Sequence, residues 1–302
     1  MMQIKDYFNL FRWKNLIIII LIQVLIKFVL FQKFELSTTL DNLHFSLLVL
    51  STIFIVIAGY IINDTQDIKA DIINKPNKVF VSKKLSITKA NNLFIIFNSI
   101  GLLLGFYLSI HINKNSFFII FIIISLLLYR YSISLKKRLL VGNLVVSLIV
   151  FLGVILIVLF DIVPVTNSYN NQVQLQVTKL VLILSGFAFF LTLLREMTKD
   201  LEDKKGDVII DANTLPIAFG DNKTKIILIF ISLIPLIAIN YFIATLYPDN
   251  LYLIFFLIAF VSLPLLYFVL KIKMAKTKKD YHNLSNLLKV IMLFGTLSIL
   301  FF

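Results

Sequence analysis

Residues 44–71 read HFSLLVLSTIFIVIAGYIINDTQDIKAD, an apolar run that ends abruptly in a cluster of aspartates. The apolar part, residues 44–62, has about the 20 residues that a helix needs to cross the roughly 30 Å hydrocarbon layer of a membrane. Asp64, Asp67 and Asp71 follow at the end of that predicted helix. The stretch therefore predicts a membrane helix that carries carboxylates at one membrane surface.

The rest of the chain repeats the apolar pattern. Its 302 residues are 59% hydrophobic, include 29 Phe and have a mean hydropathy of +0.95, which is more apolar surface than one soluble core can bury. Strands of a β-barrel would alternate over about 10 residues between turns, whereas the runs here are continuous. We therefore predict an all-α, polytopic membrane protein with nine transmembrane helices around a central cavity. The predicted spans are residues 15–31, 44–62, 92–110, 116–132, 141–163, 177–194, 225–245, 251–270 and 284–302.

The placement of basic residues predicts the orientation. If the N-terminus is cytoplasmic, the loops on that side carry 25 of the 29 Lys and Arg, and such an excess is typical of cytoplasmic loops. We predict a multi-pass protein of the cell (inner) membrane, with the N-terminus and the aspartate-rich loops cytoplasmic and the C-terminus external. Topology thus explains the net charge of +13, which does not indicate nucleic-acid binding. Because the chain has no Cys, disulfides, thiolate nucleophiles and Cys-ligated metals are excluded.

A second acidic stretch, REMTKDLEDKKGDVIID at residues 195–211, follows the sixth predicted helix. Its aspartates repeat the D-x-x-D-x-x-x-D spacing of the first stretch. We call residues 63–71 motif 1 and residues 199–207 motif 2. The match predicts two four-helix pseudo-repeats plus a ninth helix, within a single domain that covers residues 1–302.

The spacing of each motif points to metal and phosphate chemistry. On an α-helix, positions i, i+3 and i+7 lie within about 60° of one another, so each motif presents three carboxylates on one face. Like charges at that distance repel unless something neutralises them. Mg²⁺ is a suitable partner because it shares its coordination between one or two carboxylates and substrate phosphates. Two facing motifs would hold a diphosphate between metal ions.

Two other interpretations stay open at this point. A single acidic loop is most often a solvated connection, although a matched pair at equivalent helix ends makes that interpretation weaker. A cation-coupled membrane transporter is the alternative functional class. Carboxylates of transporters tend to lie near the bilayer midplane, whereas these lie at helix ends, which favours an enzyme.

The strings NDTQDIKAD, KDLEDKKGD and ANTLPIAFG resemble the UbiA superfamily of intramembrane prenyltransferases, and the resemblance covers nearly the whole chain. AGYIINDTQDIKADIINKPNK, YSISLKKRLLVGN and RWKN are most similar to the branch that makes archaeal-type ether lipids. The resemblance implies Mg²⁺-dependent transfer of a prenyl group from a prenyl diphosphate donor to a lipophilic acceptor in the membrane. The implied acceptor is the hydroxyl of a glycerol-phosphate prenyl ether lipid. An aromatic prenyltransferase of quinone or haem biosynthesis is the alternative.

The resemblance also implies roles for individual residues. The implied Mg²⁺ ligands are Asp64, Asp67, Asp71, Asp200, Asp203 and Asp207. The implied substrate-binding residues are Asn63, Arg12, Asn15, Tyr131, Lys136, Arg195 and Lys199, of which Lys136, Arg195 and Lys199 would contact the diphosphate. Catalysis would rest on Asp64, Asp67, Asp200, Asp203, Lys136 and Arg195. For the basic residues, the alternative is that they only mark the cytoplasmic side.

The sequence departs from the family pattern in places. Lys75 and Lys78 stand where many members have arginine. Tyr131 and Lys136 are five residues apart, whereas members with aromatic acceptors often have a Tyr and a Lys four apart. This spacing disfavours an aromatic acceptor. Asp161, predicted at the opposite membrane surface, is expected to have no role in the reaction.

Overall fold

The computed structural model describes residues 3–76, 79–167, 169 and 171–302. Within these residues, nine helices are long and apolar enough to cross a membrane, which confirms the predicted all-α, multi-pass class. They are Trp13–Lys33, Asn42–Gln66, Ile87–His111, Asn115–Ile133, Val141–Val165, Asn171–Ile209, Asp221–Thr245, Leu251–Met274 and Lys278–Phe301. We refer to them as the first to the ninth helix.

Polar side chains in the connections start several of these helices. Asp41 accepts a hydrogen bond from the His44 amide at 2.8 Å before the second helix. Before the ninth helix, Thr277 accepts one from the Asp280 amide at 3.2 Å. Each cap satisfies an amide that helical bonding leaves without a partner.

All nine helices extend beyond the predicted spans at one or both ends, and the extensions of two of them carry motif residues. The sixth, predicted over residues 177–194, runs over Asn171–Ile209. Its 39 residues extend over about 58 Å at 1.5 Å per residue, well beyond the hydrocarbon layer. The second, predicted over residues 44–62, continues to Gln66. A span predicted from hydropathy ends at the first charged residues. The helix itself continues, because charged side chains do not interrupt backbone hydrogen bonding.

Packing divides the described chain into two compact units, of which the first comprises Met1–Lys136 and Leu152–Val181. Within it, the second and third helices approach closely at Gly101, where an added Cβ would lie 2.6 Å from Ile55 Cγ1. Ser51 Oγ donates to the Gly101 carbonyl at the same point, at 2.7 Å. Such contacts through small residues are typical of membrane helices, where close packing replaces the hydrophobic driving force.

The same unit contains a buried ion pair between the first and fifth helices. Lys27 lies on the π-helical turn Ile26–Leu30 and Asp161 on the π-helical turn Val158–Ile162. Lys27 Nζ lies 2.7 Å from Asp161 Oδ2, and Leu40 N donates to Asp161 Oδ1 at 2.8 Å. Asp161 is 0% exposed. It is therefore a structural partner in the protein interior, and its position at the opposite membrane surface stays a prediction.

A short N-terminal helix, Ile4–Leu10, is anchored beside motif 1. Lys84 Nζ lies 2.8 Å from Asp6 Oδ1, and Leu10 is buried in an apolar cluster. That cluster also contains Leu16, Ile57, Ile61, Val81, Leu85 and Ala90. The anchor fixes the position of the turn at residues 11–12, just before the first helix.

The second unit comprises Lys137–Phe151 and Leu182–Phe302. In it, the sixth and ninth helices meet where Gly295 leaves space for the ring of Phe187. Lys225 Nζ donates to the Ala275 carbonyl, which joins the seventh helix to the connection after the eighth. One boundary between the units, at residues 136–137, falls between the fourth and fifth helices, where the sequence repeat would place it, and the other two fall inside the fifth and sixth helices. The pseudo-repeat stays a prediction.

Candidate active site

Motif 1 lies where the second helix ends. Asn63 and Asp64 belong to its last turn, Asp67 follows with φ −92° and ψ 5°, and Asp71 lies on the short helix Ile68–Asn74. The predicted single helical face is therefore interrupted at Asp67. The helical spacing survives the interruption, because the Asp67 amide still donates to the Asn63 carbonyl at 2.9 Å and the Asp71 amide to the Asp67 carbonyl at 2.8 Å.

The carboxylate of Asp67 is held by two of the predicted site residues. Lys136 lies on the 3₁₀ turn Leu135–Lys137, and its Nζ is 2.5 Å from Asp67 Oδ1. Asn63 Nδ2 donates to Asp67 Oδ2 at 2.8 Å, and Lys136 Nζ also donates to Asn63 Oδ1 at 3.4 Å. The structure thus brings Lys136, Asn63 and Asp67 together, although they are separated by up to 73 residues.

Arg12 and Asn15 contact Tyr60 and Asp64, which lie one turn apart near the end of the second helix. Arg12 Nη2 lies 2.6 Å from Asp64 Oδ1, and the guanidinium carbon is 4.6 Å from the centre of the Tyr60 ring. Asn15 Nδ2 donates to the Tyr60 hydroxyl at 3.2 Å. Arg12 has a φ of +52°, in the left-handed region that non-glycine residues seldom adopt. Its surroundings therefore hold it in a strained backbone conformation beside motif 1.

Asp71 has an altered acidity. Burial raises the pKa of its carboxyl to about 6, with Lys75 opposing the rise and the charges of Asp67 and Asp64 adding to it. The carboxylates of motif 1 therefore influence one another electrostatically. Lys78, the other lysine at a family arginine position, lies outside the described residues.

Motif 2 lies entirely on the sixth helix, so its i, i+3, i+7 spacing puts Asp200, Asp203 and Asp207 on one helical face, as predicted. Asn143, in the first turn of the fifth helix, donates from Nδ2 to Asp200 Oδ2 at 2.9 Å. Asn143 is 8% exposed. This hydrogen bond fixes one carboxylate oxygen of Asp200.

The predicted phosphate-binding cations of the sixth helix share one acidic partner. Arg195 Nη1 lies 2.9 Å from Glu196 Oε1, and Lys199 Nζ lies 2.9 Å from the same oxygen. Glu196 is itself largely buried, with 14% of its side chain exposed. Both cations are thereby held beside Glu196 within the sixth helix. Tyr131 lies in the last turns of the fourth helix and is half-buried.

Three of these contacting residues were not identified from the sequence. Tyr60 lies one helical turn before Asp64, and Asn143 is an amide in an otherwise apolar run. Both positions are only weak indications of a site residue. Glu196 is an acidic residue among bases, which gave no indication of its partners.

The arrangement can hold Mg²⁺ only together with another ligand. Among the residues that the structure describes, no three His, Asp or Glu side chains converge closely enough to bind a metal ion by themselves. Mg²⁺ needs only one or two carboxylates when phosphate oxygens and water complete its shell. The oxygen chemistry of both motifs, with cations beside them, fits that requirement.

Residues 29–291 match the model of the UbiA prenyltransferase family. The chain belongs to the UbiA prenyltransferase family. It is therefore a multi-pass membrane enzyme that transfers prenyl groups, as the resemblance predicted. Membership leaves no support for the transporter alternative.

Individual members of the family are similar over most of the chain. Digeranylgeranylglyceryl phosphate synthase of Sulfurisphaera tokodaii is 34% identical over 236 residues, which are 76% of this chain and 77% of that one. The enzyme of the same name from Saccharolobus solfataricus is 30% identical over 300 residues, 96% of each chain. A solved structure of a UbiA homologue from Archaeoglobus fulgidus, bound to GPP and Mg²⁺, shares the fold. Its TM-score is 0.63 at 16% identity, with 97% of this chain and 99% of that chain covered.

Proposed function

We propose that the chain uses Mg²⁺ to transfer a prenyl group from a prenyl diphosphate to the hydroxyl of a glycerol-phosphate prenyl ether lipid. The bond between the prenyl carbon and the diphosphate oxygen breaks, a carbon–oxygen bond to the acceptor forms, and the hydroxyl proton leaves. The acceptor class is supported by the relatives named digeranylgeranylglyceryl phosphate synthase, at 34% and 30% identity. The five-residue separation of Tyr131 and Lys136 also favours it over an aromatic ring.

The observation that carries the proposal is the mixture of charges at motif 1. Asp64 and Asp67 each lie within 2.6 Å of a cation, Arg12 and Lys136 respectively. Carboxylates suit a divalent metal, and fixed cations suit the oxygens of a departing diphosphate. Bound Mg²⁺ would stabilise the negative charge that develops on the leaving group.

We assign the residue roles accordingly. Asn63 orients Asp67, while Arg12, Asn15 and Tyr131 contribute to substrate binding. The proposed diphosphate contacts are Lys136, Arg195 and Lys199. The proposed Mg²⁺ ligands are Asp64, Asp67, Asp71, Asp200, Asp203 and Asp207.

We also propose one functional domain over residues 1–302 in the cell (inner) membrane. The excess of Lys and Arg in alternate connections supports a cytoplasmic N-terminus and cytoplasmic motifs, with an external C-terminus. A charged donor would then reach the motifs from the cytoplasm, while its prenyl chain stays in the bilayer.

The test is turnover by the purified chain with Mg²⁺, a panel of prenyl diphosphates and two classes of acceptor. One acceptor is a glycerol-phosphate prenyl ether lipid, and the other is a hydroxylated aromatic acid. We expect a mass increase of one prenyl group on the lipid, abolished when EDTA removes Mg²⁺. Product from the aromatic acid and none from the lipid would contradict the proposed acceptor and promote the aromatic alternative.

A further inference from the structure

Two of the proposed metal-binding carboxylates of motif 1 form ion pairs with basic side chains of the protein. Lys136 Nζ lies 2.5 Å from Asp67 Oδ1, and Arg12 Nη2 lies 2.6 Å from Asp64 Oδ1. The side chains of Lys136, Asp67 and Asp64 are only 10%, 18% and 16% exposed, respectively. Water therefore screens the Lys136–Asp67 pair less than it screens an ion pair on a protein surface. The Arg12 side chain is 35% exposed, so water screens the Arg12–Asp64 pair more.

Other contacts hold both cations in place. Lys136 shares Asp67 with Asn63, which donates to the second carboxylate oxygen at 2.8 Å. Arg12 is held over the Tyr60 ring, and its left-handed backbone conformation places it there despite the strain. The two ion pairs are therefore built into the protein and are not chance contacts between flexible side chains.

The charge balance of the two pairs opposes the binding of a lone metal ion. Arg12 and Lys136 neutralise Asp64 and Asp67, so a Mg²⁺ ion that took these carboxylates would leave two unpaired cations beside a dication. A diphosphate removes this conflict, because its oxygens provide anionic partners for the metal and for the released cations.

We propose that Lys136 and Arg12 exclude free Mg²⁺ from motif 1 and release its carboxylates only to Mg²⁺ that binds together with a diphosphate. The inference rests on the proposed function, in which these aspartates bind Mg²⁺. It adds a role for the two cations before catalysis: they make metal binding conditional on the substrate.

Such a device makes the affinities for Mg²⁺ and for diphosphate mutually dependent. By linkage, diphosphate raises the affinity for Mg²⁺ by the same factor as Mg²⁺ raises the affinity for diphosphate. Replacing Lys136 by an uncharged residue leaves Asp67 without its cation, so the affinity for Mg²⁺ alone should rise. The affinity for diphosphate should fall, because a phosphate-binding cation is lost.

Calorimetric titration of the full-length chain in detergent tests the proposal. MgCl₂ is titrated alone and then in the presence of inorganic pyrophosphate, with wild type, Lys136→Met, Lys136→Arg and Lys137→Met. Lys137 is the matched control, because its loss changes the net charge equally on the same 3₁₀ turn. We expect Lys136→Met to bind Mg²⁺ alone at least ~10-fold more tightly than wild type, and to bind pyrophosphate more weakly. Lys136→Arg and Lys137→Met should resemble wild type in excluding free Mg²⁺.

Two failures can be told apart. If wild type binds pyrophosphate only with Mg²⁺, yet Lys136→Met binds free Mg²⁺ no more tightly than wild type, the exclusion role is wrong and the proposed function stands. If wild type binds no pyrophosphate with Mg²⁺, the proposed function itself fails. Should Lys136→Met not fold, Arg12→Gln makes the same test at Asp64, with Lys14→Gln as its control.

Discussion

Asp71 is a residue of motif 1 whose acidity can be measured directly. Burial raises the pKa of its carboxyl to about 6, so between about pH 4 and pH 6 the folded chain keeps a proton that the unfolded chain has lost. This residue's contribution to stability therefore decreases as the pH rises through that window. Asp71→Asn cannot ionise and should escape the decrease.

The measurement is the melting temperature in detergent without Mg²⁺, from about pH 4 to about pH 7. The difference between Asp71→Asn and wild type should shift in favour of the variant as the pH rises. Asp249→Asn, in an exposed loop, is the control and should follow wild type. A difference that is constant with pH would show that Asp71 titrates outside this window.

Asn143 is expected to position Asp200. Asn143→Ala removes the 2.9 Å hydrogen bond to the Asp200 carboxylate, and the loss of such a supporting contact typically weakens metal affinity by about 10-fold or more. The concentration of Mg²⁺ that gives half-maximal activity should rise, while kcat at saturating Mg²⁺ changes less.

A variant one helical turn away provides the matched control. Ser147 donates within its own helix, to the Asn143 carbonyl at 2.7 Å, so Ser147→Ala should leave the Mg²⁺ requirement unchanged. A fall in kcat for Asn143→Ala without any change in the Mg²⁺ requirement would argue against the positioning role.

At the scale of the helices, hydropathy predicts the nine spans because length and apolar composition are local properties. It fails at the ends, where the second helix continues to Gln66 and the sixth to Ile209. The interruption of motif 1 at Asp67 has no local signal, since neither glycine nor proline is present there.

The candidate site was predictable to the extent that its residues form a pattern. The repeated spacing identifies the six aspartates. The resemblance to the family identifies Lys136. The contacts of Tyr60, Asn143 and Glu196 depend on which distant segments meet, and a single sequence does not contain that information.

The buried pair of the first and fifth helices gives a prediction at this scale. Asp161→Asn leaves Lys27 as an uncompensated charge in the protein interior, and breaking such a pair costs about 3 kcal/mol or more. The melting temperature should fall clearly. Lys27→Met combined with Asp161→Leu should recover much of the loss, because no buried charge then remains. A melting temperature equal to that of wild type for Asp161→Asn would contradict the pairing.

For the whole molecule, the orientation in the membrane can be tested cleanly because the chain has no native cysteine. Lys276→Cys lies between the eighth and ninth helices and Asp249→Cys between the seventh and eighth. With the proposed orientation, an impermeant maleimide should label Asp249→Cys in intact cells but Lys276→Cys only after permeabilisation. The reverse pattern would place the motifs on the external side.

The central claim is that the aspartates of motif 1 bind the Mg²⁺ that activates the diphosphate. The most direct measurement is the rate of prenyl transfer by Asp67→Asn beside wild type, with folding checked by melting temperature. Asparagine keeps the shape of Asp67 and one acceptor oxygen, but it removes the charge and the second acceptor oxygen. We predict that activity falls at least ~100-fold, roughly 2.7 kcal/mol of transition-state stabilisation, while the protein stays folded. A folded Asp67→Asn chain with near-wild-type activity would contradict the account.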